Sequence, residues 1–126
     1  MNEIYQALYS RLSAELAVPI FDHIPQNNKV APYVRLDDLE ADQLETDNKI
    51  GFSAVFQVVA CSHQKGRKEA VALGEQIYNA LHNFDMQDTD SFAISILQQE
   101  FQKSLTSSDG KARYSVHRFR IIFSKL

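Results

Sequence analysis

The twelve residues from Ile50 to Cys61 alternate so regularly that they leave one backbone conformation open. Ile50, Phe52, Ala54, Phe56, Val58 and Ala60 fall on one side of a period-two pattern, and Gly51, Ser53, Val55, Gln57, Val59 and Cys61 on the other. Successive strand side chains point to opposite faces, whereas a helix would scatter the same residues around its axis. The first set therefore predicts a core face. Because both sets become apolar toward Cys61, the segment reads as a central strand, and the domain must be built around a sheet.

The other elements are read against that strand. Ile4, Leu8, Leu12 and Leu16 recur every four residues, which predicts an amphipathic helix over Asn2 to Leu16. Pro19 and Pro25 punctuate a short apolar piece from Val18 to Ile24, and the polar run Gln26 to Lys29 reads as a loop. Pro32 opens a strand over Tyr33 to Leu39. A second helix over about Arg67 to Asn83 carries Ala70, Leu73, Ile77, Leu81 and Phe84 on one stripe. A strand from Phe92 to about Phe101 follows, then the turn signal Asp109-Gly110, then a last strand over Lys111 to Phe123. In that strand His117, Phe119, Ile121 and Phe123 share one face, while Arg118 and Arg120 lie on the other.

Connections too short for helical crossovers make neighbouring strands antiparallel. The predicted class is α+β: an antiparallel sheet of about four to five strands with two helices on one face, in a single domain over 1–126. The opposite sheet face would keep Gln57, Arg118 and Arg120 together with Val55, Val59, Tyr114 and Val116. That mixture is more apolar than an isolated subunit tolerates and points to assembly.

Charge sharpens the point. The formal net charge is −3, the wrong sign for a chain that holds a phosphate backbone through its overall field. Asp37, Asp38, Glu40, Asp42, Glu45 and Asp47 lie in one stretch without a basic residue. From Gln98 onward the basic residues Lys103, Lys111, Arg113, Arg118, Arg120 and Lys125 face only Glu100 and Asp109. No apolar run approaches the ~18 residues of a membrane span, and the polar, acidic start is unlike a signal peptide, so a membrane is not an expected partner. The lone Cys61 allows no internal bridge, in keeping with a reducing compartment.

Candidate chemistry is sparse. Cys61 and His63 have no second Cys/His pair to complete a zinc site, and Asp37 to Asp47 lacks the mid-loop glycine of a calcium-binding EF-hand. His117 sits on an apolar face as a core or interface histidine, and His82 closes a helix, where its cationic form would complement the helix dipole. No phosphate-cradling glycine pattern occurs. The hairpin around Asp109-Gly110, flanked by Lys103, Lys111 and Arg113, is the best local anion site, with Tyr114 and Phe119 the nearest aromatic rings for base stacking. No catalytic, metal or cofactor residue is assigned, and sequence-specific nucleic-acid binding is not expected.

Several segments bring a family into view: Ile4-Tyr5-Gln6-Ala7-Leu8 in the first helix, Val18 to Gln26, and Ala31-Pro32-Tyr33-Val34. So do Gly66, Glu69, Ala70, Ile77, Ala80 and Leu81 after the strand ending at Ser62, and Asp109-Gly110 before an arginine-bearing last strand. Over nearly its whole length the chain resembles the tail-terminator or tail-completion proteins of long-tailed phages. The resemblance implies a non-enzymatic subunit of a ring, typically of six copies, that caps the tail tube, ends its polymerisation and docks to the head. Its partners would be further copies of itself, the tail tube protein and a head-completion or connector protein, in the host cytoplasm during assembly and then in the virion tail. The sequence departs from that pattern at Ala60-Cys61, where a tryptophan is common, and in the long acidic connection from Glu40 to Lys49.

A closed ring needs two different patches that meet on neighbouring subunits. The expectation is that Asp37, Asp38, Glu40, Asp42, Glu45 and Asp47 on one copy approach Lys111, Arg113, Arg118 and Arg120 on the next. Two other uses of the carboxylates compete with it: a solvated mobile loop, and a negative lining of the ring lumen that keeps DNA from sticking. A small regulatory ligand-binding α+β module is the alternative function, and it rests on fold analogy alone.

Overall fold

A computed structural model describes residues 2–23, 31–46 and 49–126. Among these residues the chain forms helices α1 (Asn2–Glu15) and α2 (Lys68–Leu81) and strands β1 (Ile20–Phe21), β2 (Tyr33–Leu36), β3 (Glu40–Thr46), β4 (Lys49–Ser62), β5 (Phe92–Thr106) and β6 (Arg113–Lys125). The class is α+β, with six strands where the sequence predicts about four to five.

The sheet runs β1-β2-β4-β6-β5, with β3 on the same flank of β4 as β2 but farther along it. All pairings are antiparallel except β1 with β2. The long pairing of β4 with β6, from Gly51–Ser124 to Ser62–Arg113, makes the spine predicted from the alternation. Phe56 stacks on Phe119 and Phe52 on Phe123 across it, at centroid distances of 5.6 and 5.3 Å.

Both helices cover one face of this spine. Ile4, Leu8 and Leu12 are buried on α1, with Leu16 buried just past its end, and Ala70, Leu73, Ile77 and Leu81 on α2. Arg11 joins the helices, donating from Nε to the Ala80 carbonyl at 2.9 Å with its guanidinium over the Phe84 ring. On α2, Gly74 is required by space: a Cβ there would lie 2.5 Å from Ser115 Oγ and 2.7 Å from His117 Nε2. The helix thereby comes down onto β6 at the polar pair that the final strand buries.

One expectation is corrected. The acidic connection is not a mobile loop through its length, since Glu40 to Thr46 form β3, paired in register with β4 from Glu40–Val55 to Thr46–Lys49. Asp and Glu disfavour strands, and Ala41 alone among the described side chains of the segment packs against the core, so local propensity had little to signal. The pairing comes from β4, which presents an unsatisfied edge there. Strand β5 likewise continues five residues past the predicted Phe101, carried by β6 opposite rather than by any burial of its own.

Candidate assembly surface

The predicted charged residues separate into three groups: Glu40, Asp42, Arg118 and Arg120 share the uncovered face of the sheet, whereas Arg113 stands on the helix-covered face beside Ala70 and Val71 of α2. Asp37, Asp38 and Glu40 line an open cleft of about 490 Å³ with Asp22, Gln57 and Arg118. Asp37 is fixed there twice: Arg35 Nε donates to its Oδ1 at 2.6 Å, and its own N–H donates to the Gln57 carbonyl at 3.0 Å. Burial first, and then the carboxylates of Asp22, Asp38 and Asp37, push the Tyr5 hydroxyl up to about 12. Its proton is retained and donated to the Leu36 carbonyl at 2.9 Å. Asp42 is exposed on β3, Glu45 belongs to the same strand, and Asp47 lies outside the described residues.

The second group is basic but satisfied within the chain. Arg118 and Arg120 both reach Glu100, Arg118 at 3.6 Å and Arg120 through a short Nε bond, and Arg120 also donates to Ser53 Oγ. The Arg118 guanidinium stands 5.4 Å from the Phe101 ring centre. The third group sits at the end of the sheet. Arg113 donates to Thr106 Oγ1 at 2.6 Å, and Lys111 lies on the hairpin turn. Asp109 organises that turn by accepting from Ser107 Oγ and from the Lys111 N–H, which lowers its carboxyl below the ordinary range.

Sequence reading missed three contributors. Asp22 enters the acidic cleft from the end of β1, Arg35 holds Asp37, and Glu100 neutralises both central arginines. The spacing of Arg35 and Asp37 on one strand face was a usable signal. Glu100 gave none, because it sits within a bulge between the pairs Gln99–Phe119 and Phe101–Arg118.

The histidines differ from one another. His117 is 2% exposed, between Ser115 Oγ at 2.7 Å and Gln99 Oε1 at 2.6 Å, and desolvation lowers its pKa to about 4. With Gln99 Oε1 accepting, Nδ1 carries the proton and Nε2 accepts from Ser115, so the ring is neutral. His82 does not serve as the cation expected at a helix end. Its Nδ1 accepts the Gln99 N–H at 3.0 Å, which needs a free lone pair, and its ring stacks on Tyr78. Cys61 is buried and desolvation raises its thiol pKa, while His63 is exposed. Phe119 lies in the core and is closed to stacking on a base.

The edges complete the surface. Ser107 N–H donates to the Ala112 carbonyl at 2.9 Å, and antiparallel alternation then turns the backbone groups of Leu105, Lys103 and Phe101 toward β6. Gln102, Ser104 and Thr106 consequently point theirs outward, where among the described residues no strand pairs with them. On the opposite flank the Asp37 bond to Gln57 fixes the same alternation, so that Ala41 and Gln43 of β3 face away from β4.

Comparison with known proteins agrees with this architecture. No curated protein matches the sequence. A solved structure titled "Virion of native gene transfer agent (GTA) particle" contains a similar chain: 17% identity, TM-score 0.86, covering 98% of this chain and 96% of that one. This likeness shows the fold. The family described as "Tail completion protein gp17" matches residues 3–124, nearly the whole sequence. The chain belongs to that tail-completion family of structural phage-tail proteins.

Proposed function

We propose that this chain closes into a ring, of six copies as the resemblance implies, that caps the phage tail tube, ends its polymerisation and joins the tail to the head. The observation that carries the proposal is the placement of opposite charges at opposite margins of one sheet. Asp22, Asp37, Asp38, Glu40 and Asp42 gather on the β1–β3 flank, and Lys103, Lys111 and Arg113 on the β5–β6 hairpin. Patches so arranged cannot meet within one subunit, but they meet between neighbours related by rotation. Charge complementarity would set register and encounter rate, and the apolar side chains of the open face would supply buried area. Arg118 and Arg120 would shape the contact from within, since Glu100 already holds both. The tail tube protein and a head-completion or connector protein would bind the two faces of the ring. No step of this role calls for catalysis.

Light scattering over a concentration series, at low and high salt and with negative-stain imaging, tests the reading. A closed ring that weakens with salt is expected, and reversing Arg118 and Arg120 to Glu should weaken it further. A chain that stays monomeric under all conditions and does not bind purified tail tubes overturns it. A ligand-binding role has one observation in its favour, a groove of about 650 Å³ between α2 and β5 that reaches His117 and Ser115. Saturable thermal stabilisation by a metabolite, abolished by filling the groove through Val71→Trp, would move the assignment there.

A further inference from the structure

The two edges that no strand covers among the described residues match in more than charge. Strand β5 runs antiparallel to β6, β6 to β4 and β4 to β3, so β3 and β5 have opposite directions. A rotation about an axis along the sheet keeps those directions and brings β3 of one subunit beside β5 of the next as an antiparallel pair. The outward-facing backbone groups restrict the register. Ala41 and Gln43 must exchange hydrogen bonds with Gln102, Ser104 or Thr106, in steps of two residues.

Side chains select among these registers. With Ala41 opposite Ser104 and Gln43 opposite Gln102, the residues between them put Asp42 opposite Lys103 on the open face. The same register sets Leu44 against Phe101, two apolar side chains left 39% and 44% exposed in the single subunit. Sliding by two residues in one direction would place Leu44 against Lys103 and Asp42 against Leu105. Sliding in the other would carry β3 onto the bulged, covered part of β5 at Gln99. One register alone pairs charge with charge and apolar with apolar.

Geometry agrees. Asp42 is level with Ser53 of β4, and Lys103, through Val116, is level with Val59. The six-residue offset is about 20 Å along the strands, across four strands spanning about 19 Å. Strands would then tilt by about 45° to the ring axis, close to the tilt at which sheets close into barrels.

We propose that neighbouring subunits join by antiparallel pairing of β3 with the outer half of β5, in the register that sets Asp42 against Lys103, making the sheet continuous around the ring. The proposal rests on the ring reading and adds its mode of contact. A second copy of the chain is the occupant of both edges.

Three variants of the full chain test it, each read by light scattering and by thermal melting of the subunit. Ser104→Pro removes an outward N–H and no bond to β6, so the fold should persist while assembly is lost. Asp42→Lys and Lys103→Asp should each weaken association about five-fold per contact, and the two together should restore it. The pair Asp42→Cys and Lys103→Cys should give covalent ladders on oxidation, whereas Ser104→Cys alone should not give dimers. Normal rings from Ser104→Pro, no recovery in the charge swap, or dimers through Ser104→Cys (the mark of β5 pairing with a second β5) overturn the pairing and leave the ring intact. A wild-type chain that never assembles overturns the ring reading, and the pairing with it.

Discussion

Strand β5 is one continuous element with two unlike halves. Along Leu97 to Gln99 its outer edge is covered: the Asn83 N–H donates to the Leu97 carbonyl at 2.8 Å and His82 Nδ1 accepts the Gln99 N–H at 3.0 Å. Beyond the bulge, Phe101 to Thr106 are all exposed and their outward backbone groups have no strand beside them among the described residues. Natural proteins protect sheet edges because a bare edge recruits other strands. A chain that caps half of an edge and leaves the other half open has separated the part that must stay folded from the part available to a neighbour. Gln99 is the boundary, with its N–H committed to His82 and its side-chain oxygen to His117.

Acid should test this boundary hardest. The His117 pKa is lowered from 6.5 to about 4 by desolvation, so between those values the unfolded chain binds a proton that the folded chain does not. Stability from this group is complete above pH 6.5 and is lost as pH falls toward 4, by up to about 3 kcal/mol. Chemical denaturation of wild type and His117→Asn across that window checks it. Equal slopes for the two would remove His117 as the cause.

Adding one carbon at Gly74 should cost about 2 kcal/mol, because Ser115 and His117 must shift to admit it. The Gly74→Ala midpoint should fall by several degrees, and an unchanged midpoint would mean that α2 lifts without loss.

His82→Ala leaves the Gln99 N–H without its acceptor and should cost about 1 kcal/mol. Its sharper signature is local. Hydrogen exchange at Gln99 should rise to match Gln102, Ser104 and Thr106, which should exchange fast in the monomer and slowly in assemblies. The smallest effect belongs to Glu100→Gln, which removes two surface ion pairs, each worth under about 1 kcal/mol, and releases Arg118 while Arg120 keeps its bond to Ser53 Oγ. It should alter the salt dependence of assembly more than the melting temperature, and a change confined to melting would reverse that assignment.

The segregation of charge was legible before the fold was known, and its use as a subunit contact is the proposal made above. Asp37, Asp38, Glu40 and Asp42 share a flank, and Lys111 and Arg113 share the hairpin, as the charge segregation implied. What could not be read was which charges were already spent. Arg35 lies two residues from Asp37 and its bond is local, but Glu100 meets Arg118 and Arg120 across a strand pair whose register depends on bulges. Strand β3 was invisible for a related reason: its residues have weak strand propensity, and its order comes from hydrogen bonds that β4 supplies.

The sequence by itself determined the core. Period-two alternation in β4 and β6 and the four-residue stripes of α1 and α2 each bury one face, and burial of an apolar face is dictated by composition and spacing. Only the tertiary structure decided the edges. Whether a backbone N–H meets a histidine, a neighbouring strand or nothing depends on register and on what the chain places alongside, and no side-chain pattern encodes that in advance. In this protein the core makes the subunit, while the edges carry its proposed role in the tail.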